Sequence, residues 1–324
     1  MICACSFETI FVFAEEVSFG TLSKEVLQSN FLGERKLSIY YPDKNKIDQN
    51  TVFIIAQDGQ YLFDGEINWV KEEWGIDETL QSLHEKNRLP NVVIIGIENA
   101  AGSNGGEFID ESRRYAEYFP KEVINYFGFG FRKFAYRNFV DVERFNYLKF
   151  LEEELIPYLE VKFKRDLNSK NLGILGSSMG GLISLNALIE LPHRFGFAAS
   201  VSTHWIGIRP LDYALLPFRS EIKFFGDPYT TEAIYSYITE NLDVLKDKRV
   251  YFDRGTESLD QFYEEPQNKI DELFYSNDLS FKSLVFDGFG HNPEDFGKRF
   301  EEALNFLLKD NLSLIHISEP TRRI

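Results

Sequence analysis

Apolar and polar positions along this chain follow two rhythms that take turns. Continuous β-branched and aromatic runs recur at Lys36–Tyr41, Thr51–Ala56, Asn91–Ile97, residues 172–175, Phe197–Val201, Arg249–Phe252 and Ser280–Phe286. Such runs predict strands covered on both faces. Between them, apolar residues repeat every three to four positions. Examples are Ile76, Leu80 and Leu83 within Asp77–Lys86, and Leu148, Leu151, Leu155, Leu159 and Phe163 within Leu148–Phe163. Further helices are predicted over Leu182–Leu191, around Lys269–Tyr275, and on the stripe Phe296, Phe300, Leu304 and Leu307. Asp77 suits a helix N-cap, and Pro157 predicts a kink or two helical pieces. Strand and helix in alternation predict an α/β fold, a mostly parallel central sheet with helices on both faces. No repeat or linker divides residues 21–311, which read as a single domain.

One stretch breaks the pattern. Tyr126–Phe139 (YFGFGFRKFAYRNF) has neither period. It reads either as a loop packing its aromatics on the body or as a lid over a cleft, inserted at residues 120–145. Its Gly128-Phe129-Gly130 lacks the third glycine and the preceding strand of a dinucleotide-binding turn.

The chemistry concentrates at Gly176-Ser177-Ser178-Met179-Gly180. This is a G-x-S-x-G pattern with an apolar run before it and an apolar helical stretch after it, as a nucleophile elbow requires. The central serine, Ser178 rather than Ser177, stands at the tip of a strained turn. Glycines two residues away on each side let neighbouring backbone pass, and the helix that starts at once aims its N–H groups at the tip.

Composition narrows the setting. The formal charge of −16 argues against a nucleic-acid partner, because phosphate binding needs clustered Lys and Arg. It is compatible with a neutral or weakly charged substrate. No apolar run approaches the roughly 20 residues of a membrane span. The only cysteines are Cys3 and Cys5, so no disulfide framework, cysteine-based zinc site or cysteine nucleophile belongs to the body, and no metal site is expected. Residues 1–20 are a poorly defined N-terminal segment. The first fourteen are apolar with no basic residue, a poor or truncated signal, a start-site error or a frayed end. With no intact signal visible, a cytoplasmic location is favoured over secretion. Residues 312–324 (LSLIHISEPTRRI) resemble the translation of a sequencing-adapter oligonucleotide. That points to a gene assembled from metagenome reads and to a segment that packs poorly, so it is set aside from the fold.

A serine hydroxyl needs a base, and the base an acid. Of the five histidines, His316 lies in the tail, His84 in a charged helix, and His193 in a turn leading away from the elbow. His204 follows the strand after the elbow helix and could line the cleft. His291 lies between the last strand and the last helix, where the chain order Ser, acid, His places the base. The acid should follow the penultimate strand. Asp253 is too close to that strand; Glu257 and Asp260 both lie on the next loop, and Asp260 is preferred. The oxyanion formed on the substrate needs waiting donors. Met179 N–H supplies one, and Gln60 N–H, in the Gly turn Gln57-Asp58-Gly59-Gln60, the second.

With these pieces in place, the chain resembles the putative-esterase family of α/β-hydrolases, which includes esterase D, feruloyl esterases, enterobactin esterases and mycolyltransferases. The resemblance runs over roughly residues 28–308. It is carried by Phe31-Leu32-Gly33-Glu34-Arg35, Tyr40-Tyr41-Pro42, Asp58-Gly59-Gln60, Leu62-Phe63-Asp64 and Trp74-Gly75-Ile76-Asp77-Glu78. Arg114, Glu117-Tyr118, Pro120, Glu154-Leu155-Ile156-Pro157, the elbow, Pro192, Phe195-Gly196, Ser202, Trp205, Gly255-Thr256 and Gly290-His291 continue it. It implies the α/β-hydrolase fold, a serine esterase mechanism and no cofactor. It also implies Ser178 as nucleophile, His291 as base, and Gln60 and Met179 as oxyanion donors, with Asp or Glu as the acid. The Tyr126–Phe139 insertion departs from shorter members and weakens any analogy to a glutathione thioester substrate.

The expected activity is a serine carboxylic-ester hydrolase acting on acyl or feruloyl esters of carbohydrates, a small-molecule or oligosaccharide ester. Trp205, His204, Phe129 and Phe131 are the candidate substrate-binding residues, with Tyr136 near them, since aromatic faces suit sugars and phenolic acyl groups. The alternatives are a siderophore or peptide-linked ester hydrolase, and a hydrolase-fold binding protein without turnover.

Overall fold

The computed structural model describes residues 13–15, 17–43, 47–66, 68, 70–88, 91–100, 108–128, 130–140, 145–207, 226–308 and 319–323. Ten strands form one sheet: β1 Phe13–Glu15, β2 Thr21–Ser29, β3 Gly33–Tyr41, β4 Val52–Gln57, β5 Val92–Ile97, β6 Leu172–Ser177, β7 Phe197–Val201, β8 Arg249–Arg254, β9 Ser280–Val285 and β10 Glu319–Arg323. Their spatial order is β1-β2-β3-β5-β4-β6-β7-β8-β9-β10. The pairings among β1, β2, β3 and β5 are antiparallel, and all the others are parallel. The longer helices are α1 Ile76–Glu85, α2 Phe108–Tyr118, α3 Phe131–Phe139, α4 Ile156–Phe163, α5 Met179–Glu190, α6 Pro228–Glu240, α7 Glu264–Ser276 and α8 Pro293–Leu307.

The strand periodicity of two divides the core. Phe53 and Ile55 of β4 belong to one apolar layer with α5, and Ile54 and Ala56 to the opposite layer with α1 and α8. Each face of the sheet is therefore covered, which is why β4, β5 and β6 read as unbroken apolar runs. Register brings the carboxyl ends of the parallel strands level: Ser177 pairs with Val201, Val201 with Asp253, and Arg254 with Val285. Open parallel sheets bind ligands at this edge.

Three local expectations are revised and one is met. Asp77 is not the N-cap of α1. Gly75 holds that position with φ 59°, and the Asp77 carboxylate instead accepts from the Ser18 N–H and hydroxyl, both at 2.8 Å. Pro157 gives the two pieces expected of it: a π-helical turn Phe150–Leu155 ends where α4 begins, with the proline in the first turn of α4. Its missing N–H falls at that junction, where a proline is best tolerated. Tyr126–Phe139 is not without regular structure. A 3-10 turn Lys121–Tyr126 leads to α3, whose helical period is hidden because Phe131 and Phe134 are exposed while Tyr136 is buried. Residues 319–323, set aside as a tail, run as β10 along the outer edge of β9.

Candidate active site

Ser178 sits between β6 and α5 with φ 56° and ψ −122°. This is a region that non-glycine residues avoid, and strain of this kind is stored at functional sites. Surrounding bonds impose it. The Ser178 N–H donates to Val201 O at 2.9 Å, and Ser178 O accepts from Leu182 and His204 N–H, both at 3.2 Å. Of the flanking glycines, Gly176 is sterically required and Gly180 is tightly confined. A Cβ on Gly176 would stand 2.5 Å from the Gly180 backbone, and one on Gly180 3.1 Å from an Asp58 carboxylate oxygen.

That second contact places the elbow against the turn after β4. Asp58 adopts the left-handed conformation, φ 56°, at the head of the 3-10 turn Gly59–Tyr61. Its buried carboxylate is gripped by Arg114 through Nε and an Nη at 2.8 Å each, and by Asn99 Nδ2 at 2.6 Å. The Gln60 side chain accepts from Asn99 N–H at 3.2 Å. Met179 opens α5, and no described acceptor takes its N–H or that of Gln60. Two free backbone donors thus lie on adjoining, firmly held turns.

Across the cleft, Nδ1 of His291 lies 2.6 Å from Oδ1 of Asp260. An ionised carboxylate only accepts, so Nδ1 carries the proton and Nε2 presents a lone pair. Asp260 is fully buried in the 3-10 turn Ser258–Tyr263. Its other oxygen accepts from Ser202 Oγ at 2.5 Å and Gly255 N–H at 2.6 Å. Burial alone would push its carboxyl up, but His291, Arg299 and Ser202 outweigh it and hold it below the ordinary range. Glu257, three residues earlier, is exposed. Asp253, at the end of β8, takes Arg299 Nη1 at 3.0 Å and the Tyr251 hydroxyl at 3.0 Å. The turn before α8 fixes His291: Asp295 accepts from Gly290 N–H at 2.7 Å, and Asn292 caps α8 through Asp295 N–H at 2.9 Å.

Tyr263 joins the two halves. Its ring meets that of His291 edge-on at 5.6 Å, and its hydroxyl is bonded to His204 Nδ1 at 2.9 Å, with the Ser178 side chain close by. Burial and the nearby Asp260 charge push the phenol well above its usual range, so it stays neutral. Nothing in the residue pattern singles out Tyr263, although its position three residues after Asp260 puts it on the same turn. Arg299 was also missed. Its signal is a lone charge among the apolar positions of α8.

The candidate substrate-binding residues separate. His204 is buried behind the elbow. Trp205 is fully buried, with its indole N–H donating to Gln267 at 2.8 Å, so it packs in the core and offers no face to a ligand. Phe131 is 81% exposed, and Phe129 lies outside the described residues. Tyr136 is buried, with its hydroxyl hydrogen-bonded to that of Thr230 at 3.1 Å.

Burial, and then the charge of His291, pull the His204 ring down to about 3. The folded protein therefore excludes a proton that the unfolded chain binds below about pH 6.5. This part of the stability is complete above that value and is lost as pH falls towards 3, to the extent of a few kcal/mol. Acid unfolding followed by tryptophan fluorescence should show the loss between pH 6 and 4 in the wild type and a flatter response in His204→Gln.

The sheet order and the elbow define an α/β-hydrolase fold, shared with solved esterases. The profile of the Putative esterase family matches residues 29–307, and the chain belongs to that family. A ferulic acid esterase structure superposes with TM-score 0.59 at 15% identity, covering 90% of this chain and 99% of that one. An S-formylglutathione hydrolase from Agrobacterium tumefaciens gives 0.56 at 12%, covering 93% and 99%. The enterobactin esterase of Shigella flexneri gives 0.53 at 18%, covering 87% of this chain and 58% of that one. At these identities the likeness is one of fold. Among curated proteins, the uncharacterized protein YbbA of Bacillus subtilis (strain 168) is 27% identical over 184 residues, 56% of this chain. The match spans 62% of YbbA's own length. Among the described residues, no helix is long and apolar enough to cross a membrane.

Proposed function

We propose that this chain is a serine carboxylic-ester hydrolase whose substrates are acyl or feruloyl esters of carbohydrates. The observation that carries the reading is the His291–Asp260 pair at 2.6 Å, with Tyr263 packed between that pair and a serine held at φ 56°. Nε2 of His291 accepts the Ser178 proton as Oγ attacks the acyl carbon. The oxyanion settles between the N–H groups of Gln60 and Met179, where one such donor contributes about 2.7–4 kcal/mol. Asp260 keeps the tautomer that leaves Nε2 free and stabilises the imidazolium. The alcohol departs with that proton. Water, activated by the same imidazole, then releases the acid and restores Ser178.

The substrate class is supported by the ferulic acid esterase likeness. A second reading, a siderophore ester, is supported by the enterobactin esterase likeness. Hydrolysis of 4-nitrophenyl acetate, methyl ferulate, feruloylated arabinose and a catecholoyl-serine ester separates them. The proposal expects kcat/KM at least about tenfold higher for the feruloyl sugar than for the catecholoyl-serine ester, a gap of about 1.4 kcal/mol. The reverse order would assign the enzyme to the second class.

A further inference from the structure

Behind Asp260 lies a buried ionic group that the acyl-transfer steps do not use. The side chains of Arg299, Asp253 and Asp260 are all fully buried. Arg299 reaches Asp253 Oδ1 at 3.0 Å through one Nη and Ser202 Oγ at 3.0 Å through the other. Ser202 passes the contact on, donating to Asp260 Oδ2 at 2.5 Å, while Arg299 itself stands 3.7 Å from that oxygen. Ser202 is held for the purpose at φ 42°, with its N–H donating to Asp253 O at 2.9 Å. Two carboxylates thus share one guanidinium. With His291 neutral the group has one negative charge in excess, and with His291 protonated it balances.

We propose that Arg299, Asp253 and Ser202 form a charge-balanced cradle that fixes the Asp260 carboxylate and sets the basicity of the His291 imidazole. These are positioning residues, acting through Asp260. The proposal rests on the reading of Asp260 and His291 given above. A single buried arginine bonded to Asp260 alone would neutralise it and weaken its hold on an imidazolium. Asp253 prevents this by occupying Arg299 on its other side, so that Asp260 keeps an effective charge towards His291. Burial pushes the Asp253 carboxyl up to about 6, against the pull of Arg299 and Tyr251, so the excess charge is present above that pH.

The other ionisable groups around the cluster, among them Arg114 bound to the Asp58 carboxylate at 2.8 Å, do not supply it. Tyr251 and Tyr263 are pushed well above their usual range by burial, and burial keeps His204 neutral. Arg254 is paired with Glu264 at 3.3 Å, and Lys298 with Glu294 at 2.8 Å and Asp295 at 3.3 Å.

The test is the proton affinity of His291, read by NMR titration of its ring without substrate and assigned by its loss in His291→Gln. Asp253→Asn keeps the shape and an acceptor for Arg299 but deletes the balancing charge; the His291 pKa is expected to fall by about half a unit or more. Arg299→Gln deletes the positive charge and should move it up by a similar amount. Where esterase activity is found, the acid limb of kcat/KM should shift in the same two directions. A His291 pKa within about 0.2 unit of the wild type in either folded variant overturns the cradle. An inactive wild type whose His291 shifts as stated would refute the esterase reading and leave the cradle standing.

Discussion

Ser178→Ala is expected to lower kcat for ester hydrolysis by about 10⁴- to 10⁶-fold, because on the proposed mechanism Ser178 forms the acyl intermediate and what survives comes from the oxyanion donors and binding alone. Alanine keeps a Cβ, so the variant retains the backbone strain at φ 56° and should melt close to the wild type. The loss would then be chemical rather than structural. Fluorophosphonate labelling followed by peptide mass spectrometry reads the same point directly: the wild type should be modified at Ser178 and the variant nowhere. Hydrolysis at the wild-type rate by Ser178→Ala would remove Ser178 from the mechanism. A folded wild type that resists labelling and hydrolyses no ester would instead leave a binding protein on a hydrolase fold.

The second large effect is expected at Asp260. Asp260→Asn should lower kcat by about 10⁴-fold with little change in fold, since an amide in that position no longer enforces the Nδ1–H tautomer of His291. Glu257→Gln should behave as the wild type, because Glu257 is exposed while its backbone is held to Phe289 O at 2.9 Å. Comparable losses in both variants, or a loss in Glu257→Gln alone, would move the acid to the earlier position.

That comparison marks where the sequence stopped being decisive. The elbow could be read because its glycine spacing answers a steric demand, and contacts of 2.5 Å at a hypothetical Gly176 Cβ make the demand concrete. His291 followed from chain order. Chain order favours neither Asp260 nor Glu257, since both lie on one loop, and Asp260 is only a preference there; a 3-10 turn carries Asp260 inward and leaves Glu257 in solvent. Strand β2 went unread because its inward face includes Glu25, a charge tolerated through Lys162 at 2.6 Å, the Ser23 hydroxyl at 3.2 Å and the Tyr158 hydroxyl. Helix α6 went unread because tyrosines and a threonine serve in its buried stripe. One of them, Tyr237, donates to Glu190 at 2.7 Å. Trp205 marks the same limit: periodicity says that an aromatic side chain is buried, but not whether core or ligand buries it.

The order of the strands also bears on biosynthesis. Ser178 and the turn at residues 58–60 emerge from the ribosome well before β9 and α8. The nascent chain therefore holds an elbow with neither His291 nor Arg299, and the unfinished sheet exposes the edge of β8 until β9 arrives. Late, long-range pairing of this kind slows folding and exposes sticky intermediates. On the proposed mechanism, a truncated product stopping before residue 280 would therefore be inert as well as prone to aggregate.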